Sequence, residues 1–545
     1  MGRALRPVIA GLIAAAFMVP LLAGLLGTLL SAAGVFPGSL PGMSVFDDPR
    51  WMAATHRTLI SGLGASALAL ALALLALAAW WGRPSLARVR QLLAPMLAVP
   101  HAALAVGLVF LLAPSGLLAR LVAPITDWTR PSDGWVVPDA MGLSLILGLA
   151  LKELPFLLFT ALAYLPRLQP DEHLRQGRVL GYSAAQCWTR LILPQLLPMM
   201  RLPIAVVVAY NLTVVDMAII LGPGQPPTLA LWVIEYFTQP GGRAQASIAA
   251  LWLLAVVILS FALLHTLYRA LAPVMAAHRV NGRRHRALPG WIARRLLSGL
   301  WLVSGLALIS LLVWSFTQRW RFPDVLPSSY SLRLWSQRAD DWWPLLENTL
   351  VFALASSVLA VLAAITWLEL ERHRQVPRLD AVWYVPLLLP QVCVLLGWQG
   401  AALLGDLDGL RSTLIWAHWV YAMPYALLML AGPWRELNPG YERQAQLVGA
   451  GYLRRLIRIR LPLLIRAVLG AWALAMSVSI AQYLPTLLLG GGRFPTLTTE
   501  LVTSFGGVDR RVIGVLASLQ MALPWLAFAL ALALPAWLYR NRKFA

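Results

Sequence analysis

The stretch from Leu59 to Gly82 runs for 24 residues without a charge, and Val512 to Tyr539 runs for 28. About 20 apolar residues carry a helix across hydrocarbon, and both runs exceed that. The same reading places spans near 8–31, 59–82, 91–113, 140–165, 202–221, 246–267, 297–317, 348–369, 380–404, 413–431, 468–489 and 512–539, twelve in all. In lipid a chain must satisfy its backbone polar groups internally, which runs of this length do as helices. The expected fold is an all-α polytopic membrane protein. Only 12% of residues are charged, against about 25% in a soluble domain, which excludes a water-soluble enzyme, a disordered chain and a fibre. The first run, Pro7 to about Ala33, exceeds the roughly 7 to 15 residues of a secretory signal core and is read as a helix.

Charge then orients the spans. The chain carries a net +21, yet 42 of its 44 basic residues are arginine, and only Lys152 and Lys543 are lysine. Most arginines sit in short loops between apolar runs, a pattern that fixes membrane topology and not one that grips nucleic acid. With a cytoplasmic N-terminus the inside segments hold 30 basic residues and the outside loops 13, so both termini are expected inside. Cys187 and Cys393 are too few for a disulfide framework, and neither lies near histidine or another cysteine at metal-ligand spacing.

The chain also repeats itself. Arg175 to Leu229 aligns without a gap to Arg443 to Leu497 at an offset of 268, matching Gly181 with Gly449, Arg190 with Arg458, Leu193-Pro194 with Leu461-Pro462, and Pro227-Thr228-Leu229 with Pro495-Thr496-Leu497. Upstream the offset is about 291, pairing Trp51 with Trp342 and Thr58-Leu59 with Thr349-Leu350, while Pro100 and Pro390 pair at 290. The difference is an insertion of roughly 22 residues, assigned to an outside loop at 114–139 whose prolines argue against a further span. Six spans per half make the repeat parallel, about an axis along the membrane normal. Residues 1–267 and 297–545 are the two halves, joined by a basic cytoplasmic linker at 268–296.

In each half the longest cytoplasmic loop, about 171–194 and 439–462, is the best matched, although an ordinary loop should drift fastest. The shared residues are Arg175, Gln176, Gly177, Gly181, Leu191, Leu193 and Pro194, and again Arg443, Gln444, Ala445, Gly449, Ile459, Leu461 and Pro462, with 13 residues from Gly to Pro in both copies. This spacing predicts a short helix, a glycine with positive φ at its end, a second short amphipathic helix, and a proline opening the next membrane helix. Such a knuckle beneath the bilayer is a docking surface. A single loop of this kind could also rest on headgroups, but two copies with one spacing point to an outside constraint.

These residues resemble the EAA loop of binding-protein-dependent ABC-importer permeases, Glu-Ala-Ala-x3-Gly-x9-Ile-x-Leu-Pro. The glycine, its distance to proline and the Leu-Pro ending match in both copies; the name-giving triplet does not, being Arg175-Gln176-Gly177 and Arg443-Gln444-Ala445, with Asp171, Glu172 and Glu442 close by. Over nearly the whole chain the resemblance is to two fused permease halves, most like the fused permeases of iron(III) and thiamine importers and, within them, the thiamine-type Ynj group. Leu484-Pro485-Thr486-Leu487-Leu488-Leu489-Gly490 and Pro495 to Glu500 point to that subgroup. The resemblance implies a bacterial inner-membrane permease whose knuckles dock two copies of a separate ATPase subunit, with a periplasmic solute-binding protein delivering a small molecule or ion. ATP and magnesium would be handled by those partners and no cofactor by this chain, which lacks the Gly-x4-Gly-Lys-Ser/Thr of a phosphate-binding loop.

Three charges fall at membrane depth, where each costs several kcal/mol unless paired or wetted (about 2.5–3.5 on insertion scales): Lys152, Glu153 and Asp216. They are read either as one structural interhelical network or as substrate contacts in the translocation pathway, one arrangement being Lys152 paired with Asp216 while Glu153 faces a wet pathway; the second half offers Trp398-Gln399, His418-Trp419 with Tyr421, and Gln482-Tyr483. Aromatic rings beside a carboxylate suit an organic cation such as thiamine. His265 and His418 are read as satisfied core histidines, and the Gly222-Pro223-Gly224 and Gly490-Gly491-Gly492 segments at the outer face as helix stops or, alternatively, as a gate or receptor contact. The rival reading is a twelve-helix secondary transporter driven by an ion gradient. Such carriers mark the loop after the second span with an acidic-basic-Gly motif, and Arg83 to Arg90 holds neither a carboxylate nor a glycine. A membrane-embedded enzyme would need a convergent acidic or metal cluster, and none recurs.

Overall fold

A computed structural model describes residues 5–35, 42–131, 137, 139–277, 290–337, 339–373 and 375–540. In chain order the helices of the first half are α1 (Leu5–Ala32), α2 (Arg50–Trp80), α3 (Pro84–Ala98), α4 (His101–Leu112), α5 (Leu117–Thr126), α6 (Leu143–Tyr164), α7 (Pro170–Val179), α8 (Ala184–Cys187), α9 (Leu193–Met199), α10 (Arg201–Thr213), α11 (Asp216–Leu221), α12 (Leu229–Thr238) and α13 (Arg243–Ala277). The second half follows with α14 (Gly290–Phe316), a hairpin of β1 (Thr317–Arg319) and β2 (Ser329–Tyr330), α15 (Arg333–Gln337), α16 (Ala339–Arg372), α17 (Asp380–Trp383), α18 (Val385–Leu388), α19 (Gln391–Leu404), α20 (Arg411–Glu436), α21 (Gly440–Leu447), α22 (Tyr452–Arg455), α23 (Leu461–Ile480), α24 (Leu484–Gly490), α25 (Leu497–Thr503) and α26 (Arg510–Leu538).

Among the described residues, ten stretches are long and apolar enough to cross a membrane, and α8–α9 with α10 make an eleventh bent by 70°. The expected twelve thus hold in number only approximately. The expected span at 91–113 is broken at Val99–Pro100, and the stretch of spanning length is His101–Thr126. The expected 380–404 resolves into two single turns and the 14-residue α19. In both places a proline, Pro100 or Pro390, removes an N–H donor and holds the residue ahead of it out of helical conformation. The 268–296 linker is shorter than expected, because α13 continues to Ala277 and α14 starts at Gly290. Its basic centre, 280–286, lies outside the described residues. Within 114–139 the prolines do not prevent a helix: α5 forms there. Its Arg120 is buried and donates to Ser115 O at 2.9 Å, Arg321 O at 2.7 Å and Asp324 O at 3.0 Å, so the first-half insertion clamps the loop of the second-half hairpin.

The first helix of each half packs on the other half. α1 lies against α19 and α14 against α4. Small residues let these backbones close. A Cβ on Gly397 would stand 1.8 Å from Gly24 O, and one on Gly107 would stand 2.7 Å from Ala307 O. Each seam adds a hydroxyl-to-carbonyl bond, Thr28 Oγ1 to Cys393 O at 2.6 Å and Ser310 Oγ to Gly107 O at 3.2 Å. Gly107 and Gly397 stand 290 apart, as Pro100 and Pro390 do.

Further buried bonds recur at matched positions. Thr58 Oγ1 accepts from Leu229 N at 2.7 Å and Thr349 Oγ1 accepts from Leu497 N at 2.9 Å, tying α2 to the start of α12 and α16 to the start of α25. Asn211 bonds Ser66 at 3.0 Å, while Ser479, 268 positions on, bonds Ser356 at 2.9 Å. Valine at Thr58 or Thr349 keeps the shape and strands a buried N–H. Each variant is expected to lose about 1–3 kcal/mol, readable as a lower melting temperature in detergent.

Candidate functional site

Two places in the fold concentrate chemistry, a cavity between the halves and the pair of duplicated knuckles. The cavity, about 130 Å³, is lined from the first half by His101, Val206, Tyr210 and Thr213 to Asp216, and from the second by Leu387, Leu389, Gln391, Tyr421, Tyr425, Val478 and Ala481 to Leu484, with Pro386. Its walls are matched positions: His101 with Gln391 at 290, and Tyr210, Thr213, Val214, Val215 and Asp216 with Val478, Ala481, Gln482, Tyr483 and Leu484 at 268. Four helix breaks meet there, before α4, before α19, between α10 and α11, and between α23 and α24. Irregular backbone at membrane depth persists only where protein buries it or it lines a wet cavity.

Matched positions have diverged in chemistry. On the first-half side Asp216 is buried, His101 Nε2 lies 3.4 Å from Glu153 Oε1, and the His101 ring stands 4.5 Å from that of Tyr210. On the other side stand Gln391, Gln482 and the rings of Tyr421, Tyr425 and Tyr483. Among the described residues Tyr421 Oη and Gln482 Oε1 are buried without a partner, so the cavity keeps hydrogen-bonding capacity that the protein does not use.

Of the residues singled out from sequence, Asp216, Tyr421, Gln482 and Tyr483 line this cavity, and Glu153 reaches it through His101. Lys152 does not pair with Asp216: its Nζ donates to Val99 O at 2.6 Å and Leu97 O at 3.1 Å, satisfying carbonyls freed by the break before α4. Trp398 and Gln399 lie off the lining, Trp398 against Trp416 with ring centroids 5.6 Å apart. His418 is a satisfied core residue, bonded to Ser479 at 2.7 Å and Thr486 at 2.9 Å, whereas His265 is exposed on α13. The glycine segments do end α11 and α24. Sequence reasoning passed over His101, Tyr210, Gln391 and Tyr425; the signal for two of them was their place directly after the matched Pro100 and Pro390.

Each knuckle is built as its spacing predicts. Gly181 has φ +78° and Gly449 φ +76°. Tyr182 N bonds Gly177 O and Ala450 N bonds Ala445 O, both at 2.9 Å, closing the first helix on carbonyls it leaves open. A single π-turn follows at 188–192 and again at 456–460, after which Pro194 and Pro462 open α9 and α23. Gly177 is glycine because Cys187 Sγ would stand 2.2 Å from a Cβ there; in the second copy Arg455 takes the cysteine's place and Ala445 fits.

The anchoring differs. Leu174 and Ile192 are buried apolar residues, while their counterparts Glu442 and Arg460 are ion-paired, with Arg460 also on Glu369 and Glu442 on Arg372 at 3.0 Å. Burial alone would raise the Glu442 carboxyl, but Arg460 and Arg372 hold it below its ordinary value. Trp434 and Tyr452 donate to Glu369 at 3.0 and 2.9 Å, completing the cluster. The next helix differs too. α9 and α10 meet at the 70° bend, where Pro203 cannot bond back to Met199, whereas α23 runs unbroken from Leu461 to Ile480.

No protein-family model matches the chain. It is 33% identical over 500 residues, 91% of this chain and 90% of the relative, to Inner membrane ABC transporter permease protein YnjC of Escherichia coli (strain K12). Over 225 residues it is 27% identical to PhnV of Salmonella typhimurium (strain LT2), named as a permease protein of a 2-aminoethylphosphonate transport system; those residues are 40% of this chain and 83% of PhnV. With its apolar helices and its end-to-end match to the first relative, this chain belongs to the ABC transporter permeases of the inner membrane, with two permease halves fused in one polypeptide.

Proposed function

We propose that the chain forms the translocation pathway of an ABC importer and that its knuckles couple the pathway to a separate ATPase. Both knuckles and both termini then face the cytoplasm, as the excess of basic residues on that side favours. A solute-binding protein works at the opposite face. ATP binding would draw two ATPase copies together, and with them the knuckles, tilting the halves about the cavity they share. The observation that carries this reading is the convergence of four matched helix breaks on one cavity, the arrangement found where transporters hold substrate between repeats. The sequence holds no phosphate-binding loop, in keeping with hydrolysis by the partner.

The cavity's chemistry favours a small cation. Asp216, with Glu153 behind His101, supplies negative charge, and four tyrosine rings supply faces for cation–π contact. Asp216→Asn keeps the shape and removes the charge. In proteoliposomes containing the ATPase and binding protein, it is expected to slow uptake of a cationic solute such as thiamine about tenfold or more, an energy difference of about 1.4 kcal/mol. Unchanged uptake would remove Asp216 from the pathway. Uptake driven by an ion gradient with no ATPase present would favour the secondary-transporter reading instead.

A further inference from the structure

At matched positions each knuckle carries an arginine and an apolar pair that this chain leaves uncovered. Val179 and Leu180 are 87% and 58% exposed, and Leu447 and Val448 are 88% and 83% exposed. The arginines, Arg175 and Arg443, precede them by one turn and are also exposed. We propose that the ATPase groove receiving each knuckle has an apolar floor and a carboxylate rim that meets Arg175 or Arg443. This deepens the coupling reading above and rests on it.

Geometry sets the direction of these groups. Glu442 is held by Arg460 and Arg372, so its side of α21 faces the helical bundle. Leu447 and Val448 follow by five and six residues, about 140° and 240° around the helix axis, and so stand off that side. In the first knuckle Leu174 and Gly177 face inward, and Val179 follows Leu174 by the same five residues. An apolar tip turned from the bundle suits a protein groove better than the bilayer the bundle occupies.

Charge fixes the rim. From 439 to 462 the sequence has five arginines and one carboxylate, Glu442, which the inward pairs occupy. The outward surface of the second knuckle is therefore basic, and its complement is acidic. In the first knuckle Glu172 already lies 3.0 Å from Arg175, while the position matching Glu172 is Gly440. Arg443 must therefore depend more on the partner than Arg175 does.

The test uses the full chain in lipid nanodiscs and its purified cognate ATPase subunit, with association measured across ionic strengths. Arg443→Glu is expected to weaken association about tenfold or more, Arg175→Glu to weaken it less, and Arg443→Lys to retain most of it. Wild-type association should fall as salt screens the rim, and arginine replacing an acidic groove residue in the ATPase should restore binding to Arg443→Glu. Unchanged melting temperatures will show that the variants are folded. Wild-type association by Arg443→Glu overturns the acidic rim while leaving the coupling reading intact. No association by the wild-type chain overturns both. An environment-sensitive dye on Leu447→Cys that reports hydrocarbon also overturns the proposal, by placing the tip in lipid.

Discussion

Replacing Gly181 and Gly449 together with valine is expected to leave ATP hydrolysis running while solute uptake falls at least about tenfold. Both glycines sit near φ +77°, at +78° and +76°, and a β-branched residue held there costs on the order of 1–3 kcal/mol. The knuckle would relieve that strain by unwinding the turn between its short helices, loosening the joint that the proposed coupling loads. About 1.4 kcal/mol is a tenfold change in an equilibrium, and two strained turns exceed that. Space is not the difficulty, since nothing stands within 4 Å of a Cβ on Gly449. Hydrolysis and uptake measured together in proteoliposomes check the result, and full-rate uptake by the double variant would show that the turns transmit nothing.

The second large effect is expected at Gly397. Leucine there must occupy space already filled by the α1 backbone, with Gly24 O at 1.8 Å and Thr28 N at 2.3 Å from its first carbon. No rotamer escapes a clash with main chain, so α1 must leave α19. The cost should reach the exceptional range for point changes, about 4–5 kcal/mol, and the variant is expected to elute as aggregate or melt far below wild type in detergent. Gly305→Leu, on α14 with nothing within 4 Å of its Cβ, is the matching control and should elute as wild type does. Equal behaviour of the two would mean that the α1–α19 seam does not hold the fold.

Much of the fold was legible because long apolar runs have one outcome in lipid. What was not legible was where helices stop short of the far side. Val214–Val215 and Ala481–Tyr483 fall inside long apolar runs, Gln482 being the one polar residue among them, and look like continuous helix, yet the chain breaks there around the cavity. At the second break Pro485 is a local signal, since it cannot bond back to Ala481; the first break has no such proline between Val214 and Leu221. Lys152 shows the same limit. Its charge marked it as important, but its partners are two main-chain carbonyls on α3 and just beyond it, and a carbonyl exposed by a break has no sequence signature. The knuckle geometry was legible because glycine and proline act on their own backbone, whereas the exchange of Leu174 and Ile192 for Glu442 and Arg460 has meaning only once the two positions are seen to touch.

The 70° bend between α9 and α10 has no counterpart in α23. One side of the molecule therefore behaves as an articulated limb and the other as a single shaft. Under the proposed coupling, displacement entering at Pro462 would pass along one continuous helix to Ile480, next to the cavity wall at Ala481, while displacement entering at Pro194 would meet the elbow near Met200. Equal pulls on the two knuckles would then move the two cavity walls unequally, Gln482 and Tyr483 further than Asp216.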